Sequence, residues 1–449
     1  MKKLSRTAKI TFALYFVFLA IYLGTAGSRL LKQSSDTHFL YQARMFLQGR
    51  LDLGHSAPPN MNDWAEVEYL KLKDGRTIAG AFLKAQPSKF RLLGAKFENV
   101  EQADIASREK KYYVSFPPFP AVVFLPLVAI FGMQVNDVIV TILLAALVPA
   151  LLFLILRRFA ERGESRRSEE DDLWLTAMFG LGSVFYYSSV MGQVWYTAHI
   201  VSNVLVVTML LAALEGRRPV LAATLLGALV LTRPQMLFWG LFILFELKRV
   251  GQLNVKNLAK MAVPLTLFAV AGAAFNYARF QALAEFGHSY LNVRWTDRIQ
   301  RYGLFNYAFI ARNLTAALTL TPKLTAKAPY VLISWHGMSM LLTTPALLYL
   351  LWPDRKTGMH TLLWLIAAPI AILGFMYQND GWVQFGYRFS LDFLIAWMLL
   401  LSVGDRTITR TWKALIVLGV LVNLFGAITF NRMWSYYHDG FFPIAPGEL

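Results

Sequence analysis

Long apolar runs dominate this sequence and leave it few possible folds. Eight stretches stand out: 8–27, 137–156, 173–190, 197–214, 260–279, 328–351, 360–377 and 413–430. Each approaches the roughly 20 apolar residues that a helix needs to cross a bilayer. Shorter runs at 219–232, 235–247 and 388–403 suffice where polar ends reach up to the headgroups. Together they predict about eleven spans. The chain is 56% hydrophobic and only 16% charged, against about 25% charged in soluble domains. A soluble globular chain is excluded, and an all-α polytopic membrane protein is expected. The opening MKKLSRTAK resembles the start of a signal peptide, but the run to Gly27 is too long for one and lacks a small-residue cleavage site. It reads as an uncleaved first span.

The net charge of +17 would suggest nucleic acid in a soluble protein. Here cations near helix ends orient spans and meet anionic lipid, so no nucleic-acid partner is expected. There is no cysteine, hence no disulfide and no thiolate metal site. No heptad pattern, low-complexity tract or internal repeat is visible.

Cation clusters set the topology. Arg157 to Arg167, Arg217-Arg218, Lys248 to Lys260, Arg355-Lys356 and Arg406 to Lys413 should face the cytoplasm, as should the N-terminus. An even number of crossings must then separate Lys9 from Arg157, yet three apolar runs lie between them. The weakest, 119–132, opens with Phe116-Pro117-Pro118-Phe119-Pro120 and is expected to lie on the outer leaflet without crossing. The C-terminus then ends outside. Two large outside segments result, 28–136 and 280–327. Within the first, 37–51 carries Phe39, Leu40, Ala43, Phe46 and Leu47 at helical spacing, which predicts an interfacial helix. Residues 56–111 are polar, with alternation such as Thr77-Ile78-Ala79-Gly80-Ala81-Phe82, and read as a small strand-rich insertion.

The unusual polar residues all fall on the outer side of this topology, where ionisable groups at a membrane edge are functional candidates. Asp36, in Ser34-Ser35-Asp36-Thr37-His38, is either a helix cap or a base. His38 is either an interfacial histidine or a site residue. Lys111, Tyr113 and Ser115 lie on a segment kept extended by the prolines after it. His199 begins a span, and His288 and Arg294 sit in the second large loop. Arg233 and Arg388, the latter beside Tyr387, either snorkel to headgroups or bind a phosphate through their forked donors. Asp392 stands at i,i+4 from Arg388 as a candidate ion-pair partner. No phosphate-binding glycine loop, dinucleotide fingerprint or zinc-helix motif occurs, and no acid or histidine pair has clean metal spacing. A sugar donor used outside would have to arrive attached to lipid.

A first span followed at once by an outside Asp and HFLYQARMFLQGRL resembles the GT-C glycosyltransferase superfamily. YYVSFPPFPAVVFLPLVAIFG, FNYARFQALAEFGHSYLNVRW, HGMSMLLTTPALLYLL and GWVQFGYRFSLDFL extend the likeness over most of the chain outside 56–110. The branch it resembles is that of protein O-mannosyltransferases, lipid A aminoarabinose transferase and bacterial family-39-type enzymes. The resemblance implies one GT-C-like domain over 1–449 in the bacterial inner membrane. It also implies transfer of a sugar from a polyprenyl-phosphate carrier to a lipid, glycan or protein acceptor on the non-cytoplasmic face. The family's catalytic acid matches Asp36, which would serve as general base with inversion at the sugar. Two departures count against a protein acceptor: Thr37 stands where those mannosyltransferases have a second acid, and Phe116 where they have a histidine. Arg388 and Arg233, with Arg294 and Lys111 behind them, would stabilise the leaving phosphate. Tyr113, Tyr387 and His199 would line the sugar pocket. No cofactor is expected, although divalent-metal dependence varies across the superfamily. The competing expectations are a transporter or flippase of lipid-linked sugars, and a polymer ligase relying on Arg294 and His288.

Overall fold

The computed structural model describes residues 5–441. The expected positions of the two chain ends, inside and outside, concern residues 1–4 and 442–449, which lie outside the described residues. The helices are α1 (Arg6–Ala26), α2 (His38–Leu47), α3 (Phe119–Phe131), α4 (Asp137–Glu161), α5 (Glu169–Gly180), α6 (Phe185–Ser189), α7 (Val194–Ala213) and α8 (Pro219–Val230). They continue as α9 (Gly240–Arg249), α10 (Val255–Phe280), α11 (Thr296–Tyr302), α12 (Ile310–Leu314), α13 (Met340–Thr343), α14 (Gly358–Phe375), α15 (Leu394–Val403) and α16 (Arg410–Thr429).

Among the described residues six helical segments are long and apolar enough to cross a membrane: α1 with the turn after it, α4, α7 with its following turn, α10, α14 and α16. Three shorter apolar helical segments, Phe119–Gln134, Pro219–Val230 and Leu394–Val403, join them. The starts are chemically marked. Ser5, Asn136, Asn254, Thr357 and Thr409 each accept a backbone N–H of the first turn. Ser168 and Asp171 form a capping box at the head of α5.

Two expected spans are broken. Residues 173–190 divide into α5 and α6 because Gly180 and Gly182 let neighbours in: a Cβ on Gly180 would meet the Phe18 ring at 2.4 Å. Residues 328–351 contain a strand at Val331–Ser334, a turn at Gly337 with φ +99°, the single turn of α13 and a 3-10 segment at Pro345–Leu351. The strand pairs with Tyr437–His438. Gly337 and Pro345 interrupt what hydropathy alone reads as one helix.

The bundle has two chemically different ends. At one, the cation clusters pair with buried acids: Arg157 with Asp172 at 2.7 Å, Arg162 with Glu246 at 2.8 Å and Arg355 with Asp405 at 3.1 Å. At the other end the long loops meet. Val194 N donates to Asp36 O, Arg29 Nη1 to Ala427 O and Asn306 N to Met376 O. Both ends of α3 belong to this second end. Phe119 N donates to Leu231 O, and Gln33 Nε2 donates to Met133 O and Val135 O. This helix therefore does not cross the bundle.

The insertion is a five-stranded antiparallel sheet made of β1 (Trp64–Leu72), β2 (Thr77–Leu83), β3 (Gln86–Leu92), β4 (Phe97–Asn99) and β5 (Ile105–Val114), in the order β4-β3-β2-β1-β5. Gly80 allows β2 and β3 to approach, since a Cβ there would lie 1.9 Å from Arg91 O. One face buries Leu70, Leu72, Phe90 and Val100. The other packs Ala65, Val67 and Tyr113 on Phe280 and Tyr290. Arg279 Nη1 donates to Val114 O at 2.8 Å and pins the sheet to the end of α10.

Helix α2 departs from the interfacial picture. Phe39, Leu40 and Ala43 pack on α3 and α7. The opposite side is also covered, because Met45 packs with Leu53, Trp64 and Val114 of the insertion. Even the polar Gln42 is 1% exposed.

Candidate functional site

A cavity of about 540 Å³ opens among the loops of the second end. Asp63 and Ser115 to Pro117 line it from the first loop, and Trp195 and His199 from the first turns of α7. Arg233 to Gln235 contribute from the turn after α8, with His288 and Trp295 from the second loop and Tyr377 to Asn379 and Arg388 from beyond α14. Leu237 and Phe305 line it too while remaining 58% and 50% exposed, so its opening is apolar.

Of the residues expected from sequence, the cavity gathers Ser115, His199, Arg233, His288 and Arg388. Arg388 is 4% exposed and so does not reach to headgroups. Its Nη1 donates to Gly381 O at 2.6 Å and to Val383 O at 3.0 Å, and the guanidinium stands 5.4 Å from the Tyr196 ring centroid. Arg233 donates through Nη2 to Asp392 Oδ2 at 2.5 Å. The i,i+4 pairing of Asp392 with Arg388 is thus absent: the 3-10 turn Arg388–Asp392 carries the carboxylate to Arg233 and His199 instead. His288 is packed near Phe116 and Tyr377 with ring centroids at 6.0 and 6.5 Å, and burial pushes its basicity below the ordinary imidazole value.

Asp36 lies outside the lining, joined through its carbonyl to Val194, the neighbour in sequence of the lining residue Trp195. It does not cap α2, whose N-cap is Thr37 with no side-chain cap bond. Its Oδ2 accepts from Ser35 Oγ at 2.5 Å and Gln193 Nε2 at 2.9 Å, and its carbonyl accepts from Val194 N. The acid is therefore held against the N-terminal turn of α7. Burial raises its carboxyl above the usual range, and the donors from Ser35 and Gln193 counter part of that rise.

The other expected residues stand apart. His38 is sealed between Trp64 and Phe116, with Nε2 2.6 Å from Asn62 O, and burial lowers it to about 4. It is a neutral structural histidine. Tyr113 meets Tyr69 hydroxyl to hydroxyl at 3.0 Å on the sheet. Lys111 Nζ lies over the Tyr69 ring at 4.7 Å. Arg294 is exposed, 5.8 Å from the Trp382 ring. Tyr387 is fully buried against Phe375 and Phe389 and does not reach the cavity.

One lining acid escaped the sequence reading. Asp63 is the acid on the cavity lining, and its Oδ2 accepts the Trp195 indole N–H at 2.8 Å. Its φ of +64° is tolerated by an aspartate better than by most residues. Burial raises its carboxyl to about 6; Trp195 and Arg388 pull the other way, and Asp36 pushes further up. A carboxylate so poised beside an arginine is a functional-site signature. The only clue in sequence was Asn62-Asp63 before a strand, which reads as an ordinary turn.

Asp380 forms a separate polar knot, with His336 Nδ1 at 2.8 Å and Arg312 Nε at 2.7 Å from its Oδ2. Burial opposes its charge, but these two partners hold the carboxyl well below its ordinary value. Among the described residues no group of three or more histidines and acids could hold a metal ion.

Comparison with protein-family models, curated proteins and solved structures gives no match.

Proposed function

We propose that the chain is a membrane glycosyltransferase of the GT-C type. It moves a sugar from a polyprenyl-phosphate-linked donor to an acceptor on the non-cytoplasmic face of the bacterial inner membrane. The observation that carries this reading is the chemistry of one cavity: two arginines, Arg388 buried and Arg233 half-buried, behind an opening edged by exposed Leu237 and Phe305. A lipid chain suits that opening, and a phosphate suits the arginines.

In this reaction an acceptor hydroxyl attacks the sugar's anomeric carbon. Its proton passes to Asp36 as the new C–O bond forms. The bond to the phosphate oxygen breaks with its electron pair, the polyprenyl phosphate leaves, and the configuration inverts. Arg388 and Arg233 offset the charge that develops on the phosphate. A general base contributes typically about 10²–10⁴-fold.

The test is Asp36→Asn, which keeps the size of the side chain and an acceptor for Gln193. Turnover should fall by about two orders of magnitude while undecaprenyl phosphate still binds. Wild-type turnover in this variant would remove Asp36 as the base. A transporter of lipid-linked sugars would bind the same probe without ever releasing free polyprenyl phosphate from a glycosylated donor.

A further inference from the structure

Asp392 is 3% exposed and does not line the cavity, yet it touches three residues that do. Its Oδ2 accepts from Arg233 Nη2 at 2.5 Å and from Gln235 Nε2 at 2.7 Å. Its Oδ1 lies 3.1 Å from His199 Nδ1. All three contacts are side chain to side chain, and they join α7, the turn after α8 and the 3-10 turn before α15.

An ionised carboxylate can only accept hydrogen bonds. Each atom facing Asp392 must therefore be a donor, and this decides what faces the other way. His199 carries its proton on Nδ1, so the Nε2 of the neutral ring holds a lone pair. Gln235 turns its amide nitrogen to Asp392 and must direct its carbonyl Oε1 elsewhere. Arg233 spends Nη2 on the ion pair and keeps Nη1. His199 Nε2, Gln235 Oε1 and Arg233 Nη1 have no partner among the described residues, and none of them is sealed from solvent.

We propose that Asp392 is a positioning residue that fixes the hydrogen-bond polarity of this cavity wall. It sets Arg233 as the donor and His199 Nε2 and Gln235 Oε1 as the acceptors. Such a wall takes an anion flanked by hydroxyl groups, which is the chemistry of a sugar joined to a phosphate. Assigning the ligand rests on the transferase reading; the polarity does not. The same carboxylate faces a phosphate-binding cation and a hydroxyl-binding ring; its substitution leaves the charge of the cation in place but reverses the polarity of the ring.

Asp392→Asn is the informative change. An amide has one accepting oxygen and one NH2. If the NH2 faces His199, the imidazole must move its proton to Nε2, and the wall loses an acceptor. That orientation is the favoured one, because the single amide oxygen stays with two donors, Arg233 and Gln235, against the one of His199.

The experiment is ¹⁵N NMR of histidine-labelled protein in detergent, with the His199 signals assigned by their loss in His199→Gln. Wild type should show His199 protonated at Nδ1. The D392N protein should show Nε2 protonation or a mixture. Gln235→Leu, which leaves the carboxylate in place, should keep the wild-type tautomer. A wild-type His199 protonated at Nε2 overturns the proposal even if D392N fails to fold. A tautomer unchanged in folded D392N overturns it equally. Undecaprenyl phosphate serves as the second probe. Its affinity should drop about tenfold or more in Arg233→Gln and stay within about threefold in D392N, where both arginine charges remain. A tenfold loss in D392N as well would mean that Asp392 acts only as a structural strut. If wild type does not bind the probe at all, the transferase reading fails while the tautomer result still stands.

Discussion

The Trp195 indole donates to Asp63 Oδ2 across 2.8 Å, two residues from Gln193, which donates to Asp36 Oδ2 at 2.9 Å. The first turn of α7 therefore holds two acids of the first loop, Asp36 and Asp63. It does so with side-chain donors, at the helix end where the backbone dipole also favours negative charge.

The cavity should respond to pH through Asp63. Below about 6 its carboxyl is protonated and no longer offsets Arg388. Undecaprenyl phosphate should bind more tightly to wild type as pH falls from 7.5 to 5, beyond whatever change Asp63→Asn shows. The difference between the two titrations isolates this carboxyl from the ionisation of the probe. Parallel curves would rule Asp63 out. The stability linkage has the same sign: the raised carboxyl favours the folded state below the ordinary carboxylate range, and this is lost as pH rises through about 6.

His38 predicts the opposite trend in acid. Burial lowers it to about 4 from an ordinary 6.5. The stability this represents is complete above 6.5 and is lost as pH falls through 4, amounting to about 3 kcal/mol. The melting temperature in detergent should fall over that window. In His38→Gln, which retains a donor for Asn62 O, the curve should be flatter. Equal slopes would mean that another group governs acid unfolding.

Arg388→Ala should weaken undecaprenyl phosphate binding by about 10- to 100-fold, since a charge-assisted contact is worth about 1.5–3 kcal/mol. Arg388→Lys should recover only part of this. A lysine brings the charge but not the planar guanidinium, whose Nη1 alone is tied to both Gly381 O and Val383 O. Full recovery by lysine would reduce the residue to a point charge.

Because the chain has no cysteine, single cysteines can report its two sides. Gln134 follows α3 and Arg166 follows α4, and both are exposed. Reagents that do not cross membranes should label them from opposite sides, Gln134 from outside. A cysteine at either end of α3 should label from the same side. Labelling of Gln134 from the cytoplasm would mean that α3 crosses.

The apolar runs located α1, α4, α7, α10, α14 and α16 to within a few residues, because burial in lipid or protein selects the same residue types along the whole length of a span. It failed at 328–351, where Gly337 and Pro345 act locally and a hydropathy window averages them away. The site was legible in part. Arg233, Arg388 and His199 were visible because charged or polar groups at span ends are costly. Asp63 was hidden because nothing local marks a turn residue whose indole partner lies 132 positions further along the chain. Tyr387 was misleading for the converse reason. It is the neighbour of Arg388 in sequence, but the backbone there turns its ring into the core.

Ser115 Oγ donates to Asp63 O at 2.7 Å, so the 64–114 sheet leaves and re-enters the first loop at nearly the same point. The sheet is in effect a closed side-branch of the chain, seated by β1 and β5 on Phe280 and Tyr290. The edge strand β4, paired with β3, could be altered without re-spacing Asp63 and Ser115 on the cavity. The part of the molecule that faces outward is in that sense free to diverge, while the lipid-facing chemistry behind it stays as it is.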